Sequence, residues 1–248
     1  MTTLSGLAAL SASKRVDRWP RTLGVLMLDT RFPRLPGDIG HPATFDFPVQ
    51  RVVVRGAVPR RVVGPGDAAL LAPFLDAARA LVAAGAEAIT TSCGFLVRFQ
   101  AALQAALPVP VWTSSLLLVP ELEAALPDGR RVGIVTVDAG ALDADVLRSA
   151  GAAADTPLEG LAPGCAFQRC LLDDEPDLDA EAACSETVAA ALRLVARRPE
   201  VGALVLECTN MPPYAEAVRR ATGLPVHDLT TLLRARYPHR TAATAAVS

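Results

Sequence analysis

Two segments of this chain repeat one another, and the repeat limits the folds available to it. Cys93, in Thr90-Thr91-Ser92-Cys93-Gly94-Phe95, and Cys208, in Glu207-Cys208-Thr209-Asn210, stand 115 residues apart in matching settings. Ala88-Ile89 precede the first as Ala203-Leu204 precede the second, and Phe99 and Ala102 find counterparts in Tyr214 and Ala217. Pro110-Val111 and Ser115 recur as Pro225-Val226 and Thr230 at the same offset. A second echo pairs Gly24-Val25-Leu26-Met27-Leu28-Asp29 with Gly133-Ile134-Val135-Thr136-Val137-Asp138 at an offset of 109, which places a loop-length difference between the two copies. Self-similarity of this kind calls for two equivalent structural units.

Within each unit, short aliphatic runs alternate with longer Ala/Leu-rich amphipathic stretches, the pattern of an α/β protein with parallel sheets. Strands are expected over 23–28, 51–55, 88–91, 109–112, 131–137, 203–207 and 225–227, and helices over 67–84, 95–106, 116–125, 140–149, 179–197, 212–221 and 230–235. Asp67 reads as an N-cap, and Gly85 closes the helix that it opens. Gly64-Pro65-Gly66 lacks the following lysine of a phosphate loop and reads as a turn. The expected fold class is α/β, with two pseudo-symmetric doubly wound lobes built on parallel sheets and an active site between them. The first lobe spans 21–113, with 224–248 returning to complete it; the second spans 114–223, and 1–20 is an amino-terminal tail. That tail has no basic residue ahead of its apolar stretch, which argues against a signal peptide.

Composition removes several chemistries. A net charge of −2 and an aromatic content of 4% offer neither the electrostatics nor the stacking surface of a nucleic-acid partner. Lys14 is the only lysine, so a pyridoxal phosphate Schiff base has no internal position, and no Gly-Lys-Ser/Thr triplet exists for a nucleotide loop. No apolar run reaches the roughly 20 residues of a membrane span. An odd count of five cysteines without tight repeated spacing fits a reduced, cytoplasmic compartment rather than a disulfide framework. Cys165 and Cys170 lack further Cys or His neighbours for zinc, Cys184 reads as helix core, and His41, His227 and His239 are too dispersed for a metal motif. The run Asp173-Asp174-Glu175-Pro176-Asp177-Leu178-Asp179 has no calcium-loop glycine and reads as a solvated lead-in to a helix. No metal and no cofactor is expected.

A strand-end cysteine is commonly an inert core residue. Two of them in equivalent positions, each before a helix start whose free N–H groups favour a thiolate, point to acid–base work. With a free-thiol pKa near ~8.5, a modest stabilisation makes a usable base. One thiolate can remove a proton from a carbon beside a carboxyl while the opposite thiol returns one from the other face. Groups expected at strand ends around such a substrate are Asp29, Arg31, Ser92, Gly94, Ser114, Thr136, Thr209 and Asn210. Arg31 suits a carboxylate, Asp29 an ammonium, and Gly94 a close backbone approach.

Thr91-Ser92-Cys93-Gly94 and Glu207-Cys208-Thr209-Asn210-Met211-Pro212 resemble the paired cysteine signatures of the aspartate/glutamate/hydantoin racemase superfamily. The resemblance runs from about Leu23 to Leu233. It implies cofactor-independent proton transfer by Cys93 and Cys208, with Thr209 and Asn210 at a small carboxylate or amino-acid substrate, and a homodimer. Asn210 stands where glutamate racemases carry His, and Glu207 replaces a small residue. Leu28-Asp29-Thr30-Arg31-Phe32-Pro33, followed by Pro36-Gly37-Asp38-Ile39-Gly40-His41-Pro42, is similar to the corresponding loop of algal dimethylsulfoniopropionate lyases in the same superfamily. There the implied chemistry is α-proton abstraction followed by loss of a β leaving group. The Pro-rich loop serves either as a lid or as a direct ligand. The leading expectation is an amino-acid racemase or epimerase. The alternatives are a lyase of the same superfamily, a small-acid-binding protein with structural cysteines, and a redox dithiol.

Overall fold

A computed structural model describes residues 22–236; the expected tail 1–20 and Lys14 lie outside them. The strands are β1 (Thr22–Met27), β2 (Val49–Val53), β3 (Ala86–Thr91), β4 (Val111–Trp112), β5 (Arg131–Thr136), β6 (Leu158–Gly160), β7 (Val201–Leu206) and β8 (Val226–His227). The helices are α1 (Pro59–Val62), α2 (Leu71–Ala83), α3 (Gln100–Ala106), α4 (Val119–Ala125), α5 (Ala144–Ser149), α6 (Ala166–Leu172), α7 (Ala180–Arg197), α8 (Ala215–Thr222) and α9 (Leu229–Arg236).

Two four-stranded, wholly parallel sheets result, ordered β2-β1-β3-β4 and β6-β5-β7-β8. The orders are the same once each strand is matched to its copy. Even the irregularity repeats: register shifts occur between Thr22 and Leu23 and between Arg131 and Val132. Central strands β1, β5 and β7 are buried almost throughout, as expected for strands covered on both faces. The chain leaves β1 for β2 on one side and returns to β3 on the other, so the crevice at the carboxyl ends of β1 and β3 is the switch point of the first sheet. The crevice beyond β5 and β7 is that of the second. Each cysteine follows one of these inner strands.

Some boundaries differ from the expected ones for local reasons. The helix expected over 95–106 begins as a 3-10 turn, Gly94–Phe99, before α3, and those expected over 116–125 and 212–221 begin with the 3-10 turns Ser115–Leu118 and Pro212–Tyr214. The helix expected from residue 140 starts at Ala144, where the Asp143 carboxylate accepts from the Asp145 and Val146 amides. Strand β6 and helix α6 were absent from the expectation. β6 is three residues long and partly buried, and its pairing with β5 defines it.

The carboxyl-terminal segment divides between the lobes. Strand β8 pairs with β7, so it extends the second sheet rather than the first. Helix α9 then turns back, and its Leu229, Leu232 and Leu233 bury against Leu23, Val25 and Met27 of β1. Each such buried leucine contributes about 2 kcal/mol. Of the segment expected over 224–248, the strand thus joins the second sheet and the helix packs on the first; residues 237–248 lie outside those described. At the lobe junction, Ser115 Oγ donates to the Leu206 carbonyl at 2.7 Å and Thr209 Oγ1 donates to the Ser92 carbonyl at 2.7 Å. Both bonds are buried; the second ties one switch point to the other, and the first ties the turn after β4 to the end of β7.

Candidate active site

Cys93 and Cys208 each stand two residues beyond an inner strand, and both line one cleft between the lobes. Its walls are mostly apolar: Leu28 and Phe32 after β1, Pro59 and Val63 around α1, Phe95, Val137, and Leu171 and Leu172 of α6. Glu207, Thr209 and Asn210 supply its polar groups. The free volume is about 30 Å³, room for one or two waters. A larger cavity of about 210 Å³ lies behind Phe95, around Pro65, Leu70 and Arg98, and contains neither thiol.

Both thiols are free and pushed upward. Burial, then the Glu207 charge, lifts Cys93 to about 12, while the Phe95 and Leu96 amides and Arg34 oppose the rise. Burial and Glu207 also push Cys208 well above the ordinary thiol value, with the Asn210 amide opposing. Buried in this way, both are thiols. The helix-start amides expected to favour a thiolate act in the expected direction, but dehydration outweighs them.

Glu207 is the strongest electrostatic feature of the cleft. It is 1% exposed, and burial raises it to about 7 although a hydrogen bond from Thr136 Oγ1 at 2.8 Å pulls the other way. That bond falls on Oε2; Oε1 has no partner among the described residues. A Cβ on Gly94 would collide with Glu207 Oε1 and with its carbonyl oxygen. Glycine is therefore required at 94 because a carboxyl group from the other lobe occupies the side-chain position.

The Pro-rich loop is anchored on the second lobe. The Ile39 amide donates to the Thr209 carbonyl at 3.5 Å, and the Asn210 side-chain amide donates to the Asp38 carboxylate. Asn210 Oδ1 in turn lies 3.5 Å from Cys208 Sγ. Asp38 also accepts from the Gly40 amide at 2.6 Å and from Arg34 Nη1 at 3.0 Å. Arg34 is nearly buried, donates to Thr30 Oγ1 at 2.9 Å and stacks over the Phe32 ring. A chain of polar contacts thus runs from Cys208 through Asn210 and Asp38 to Arg34.

The expected site residues separate accordingly. Cys93, Cys208, Ser92, Gly94, Thr209 and Asn210 line the cleft. Thr136 reaches it through Glu207. Ser114 is spent on the Leu116 amide as a helix cap. Asp29 turns away to accept from the Gly56 amide at 3.0 Å and to pair with Arg55, which corrects its expected role at a substrate ammonium. Arg31 is 71% exposed and pairs with Asp174 across the lobes at 3.0 Å, so it is a surface latch and not a cleft group. Arg60 pairs with Asp173 beside it. The acidic run read as a solvated lead-in therefore carries two interlobe contacts, although Asp179 does cap α7. Glu207, Arg34, Asp38 and Phe32 were not singled out as site residues. A lone glutamate ending an apolar strand, and the Arg34–Asp38 spacing of four, were the available signals.

Comparisons with known proteins bear on what this cleft does. A family model described as Asp/Glu/Hydantoin racemase matches residues 57–235. The chain is 33% identical over 225 residues to a dimethylsulfoniopropionate lyase of Durusdinium sp. clade D, covering 84% of this chain and 71% of that protein. It is 30% identical over 223 residues to dimethylsulfoniopropionate lyase 7 of Emiliania huxleyi (strain CCMP1516), covering 85% of this chain but 64% of that protein, less than two thirds of its length. Among solved structures, the allantoin racemase of Klebsiella pneumoniae superposes with a TM-score of 0.59 at 18% identity, covering 86% of this chain and 84% of that one. That likeness concerns the two-lobed fold. Among the described residues no helix is long and apolar enough to cross a membrane.

Proposed function

This chain belongs to the Asp/Glu/hydantoin racemase family, and on that premise we propose that it is a cofactor-independent lyase that cleaves dimethylsulfoniopropionate to dimethyl sulfide and acrylate. The observation that carries this reading is the activity named for its relatives at 33% and 30% identity. It displaces the racemisation expected from the cysteine pair alone.

In this reading one thiolate removes a proton from Cα. The C–H electron pair becomes the new double bond, and the Cβ–S bond breaks with its pair on sulfur. The sulfonium leaves as a neutral sulfide, so no acid is needed to protonate the leaving group. The carboxylate, whose charge grows as the proton departs, lies in this reading beside Thr209 and Asn210, which follow Cys208 in the lining of the cleft. Cys93 is the base, because two amides and Arg34 oppose its upward push while Cys208 has one amide. Cys208 stays protonated against the opposite face.

A second reading, racemisation of a small amino acid, is favoured by the equivalent placement of the two thiols on the two lobes. Headspace measurement of dimethyl sulfide separates the two. Release of sulfide and acrylate supports elimination. Deuterium entry at Cα of a single enantiomer, with loss of optical rotation and no sulfide, overturns it in favour of racemisation.

A further inference from the structure

Glu207 presents an unmet requirement. Its carboxyl is 1% exposed, one oxygen accepts from Thr136 and the other has no hydrogen-bond partner among the described residues. Burial and the Thr136 bond are the influences on its ionisation, and no arginine or histidine counts among them. The cation nearest the thiols, Arg34, is already engaged by Asp38 and Thr30. An ionised carboxylate left like this in an apolar cleft is costly unless it takes up a proton or a positive charge arrives from outside.

The surrounding walls restrict that charge. Phe32, Phe95, Leu28, Val137 and Leu171 line the same cleft. An ammonium would bring three N–H donors, and one free carboxylate oxygen cannot satisfy them. An alkylated onium carries its charge on methyl groups, needs no hydrogen-bond acceptor, and is attracted by ring faces and by one anion.

We propose that Glu207, with the Phe32 and Phe95 rings, forms the subsite that recognises the substrate's alkylated cation and serves as its counter-ion. The identity of that cation as a sulfonium rests on the lyase reading above. The arrangement also links recognition to chemistry. The Glu207 charge opposes ionisation of both Cys93 and Cys208. A sulfonium seated against it removes that part of the opposition, so substrate binding favours the thiolate relative to the free protein. With the cation fixed at one end and the carboxylate at Thr209–Asn210, Cα is held between the thiols.

The test compares two acids of the same shape by titration calorimetry. These are 3-(trimethylammonio)propionate, which carries a quaternary cation, and 4,4-dimethylpentanoate, its neutral carbon counterpart. The unaltered protein is expected to prefer the cation by at least about tenfold, from a desolvated onium–carboxylate attraction and the attraction of the rings. Glu207→Gln cuts that preference by at least about fivefold, leaving only what the rings supply, while binding of the neutral acid stays within about twofold, because only the charge is removed. Glu207→Asp, which keeps the charge, retains part of the preference and guards against a Gln variant that folds poorly, as checked by circular dichroism. A preference undiminished in folded Glu207→Gln overturns the proposal. Sulfide release by the unaltered protein is read separately. Release together with an undiminished preference removes the subsite and leaves the elimination, whereas a Glu207-dependent preference without release supports the subsite and removes the elimination.

Discussion

The Asn210 side-chain amide donates to the Asp38 carboxylate, which joins the Pro-rich loop of the first lobe to the residue that contacts Cys208. The loop's position is therefore set by the second lobe's cysteine motif. Asp38 also neutralises Arg34, whose side chain is 12% exposed. Asp38→Ala leaves that guanidinium buried without a counter-charge, a change that costs about 3–5 kcal/mol. At about 2–4 °C per kcal/mol for a chain of this size, the melting temperature is expected to fall by roughly 10 °C. Hydrogen exchange at the Ile39 amide, which donates to Thr209, should accelerate as the loop detaches. An unchanged exchange rate there means that the loop is held by something other than Asp38.

The repeat was legible because it is local: a strand, two residues and a thiol reappear with the same spacing, and the strand order then follows from parallel α/β rules. Which polar side chains turn inward was not legible from spacing. Asp29 follows an inner strand as Thr136 ends one, yet its carboxylate is claimed by the Gly56 amide, supplied by the turn after β2. Arg31 and Arg34 sit three positions apart on one loop. Arg34 turns in because Phe32 stacks beneath it and Asp38 faces it; Arg31 turns out because Asp174 draws it to the other lobe. These choices depend on partners distant in the chain. Glu207 is visible in the sequence as a charged residue closing an apolar strand, but its meaning comes from the Gly94 backbone lying against it.

The two cysteines are expected to be unequal. Cys93→Ser removes the base and should lower kcat by at least about a thousandfold, since a serine hydroxyl is a far weaker acid than a thiol. Cys208→Ser alters packing and contact with Asn210 but takes no proton in an elimination, so a loss of about tenfold is expected. Steady-state sulfide release by each variant decides this. Equal, complete loss in both would contradict the one-base assignment and point to two-base racemisation.

Arg31 supplies the opposite expectation. Its charge lies at the surface in an ion pair with Asp174, and exposed pairs contribute about 0–1 kcal/mol. Arg31→Ala should change unfolding free energy by less than about 1 kcal/mol and leave kcat/KM within about twofold. Asp174 also receives the Arg31 and Phe32 backbone amides at 2.6 and 3.3 Å, so Asp174→Ala should be the more damaging change. Urea unfolding of both variants gives the comparison. An Arg31→Ala enzyme that loses activity a hundredfold with normal stability would return this arginine to the substrate.

Glu207 should leave a signature in the dependence of stability on pH. Its folded value of about 7 lies above the ordinary carboxyl value of 4.5, because burial disfavours the charged form. Between those two values the folded protein holds a proton that the unfolded chain has released. Stability from this group is therefore greatest below pH 4.5 and declines as pH rises through about 7. The difference corresponds to about 3 kcal/mol. The other titratable groups facing this carboxyl are Cys93 and Cys208, with Asp38 and Arg34 beyond them. Both thiols are raised and stay neutral across the window, so they add no slope of their own. Glu207→Gln cannot ionise, and relative to the unaltered protein it should gain about 3 kcal/mol on going from pH 4.5 to above 7. Whatever fixed cost Gln brings through Thr136 or Gly94 is common to both ends of the range and cancels. Urea unfolding at a series of pH values measures the gain directly. Parallel profiles for the two proteins would mean that Glu207 is already ionised against a charge within the fold, which would also remove the reason for its needing a cation from the substrate.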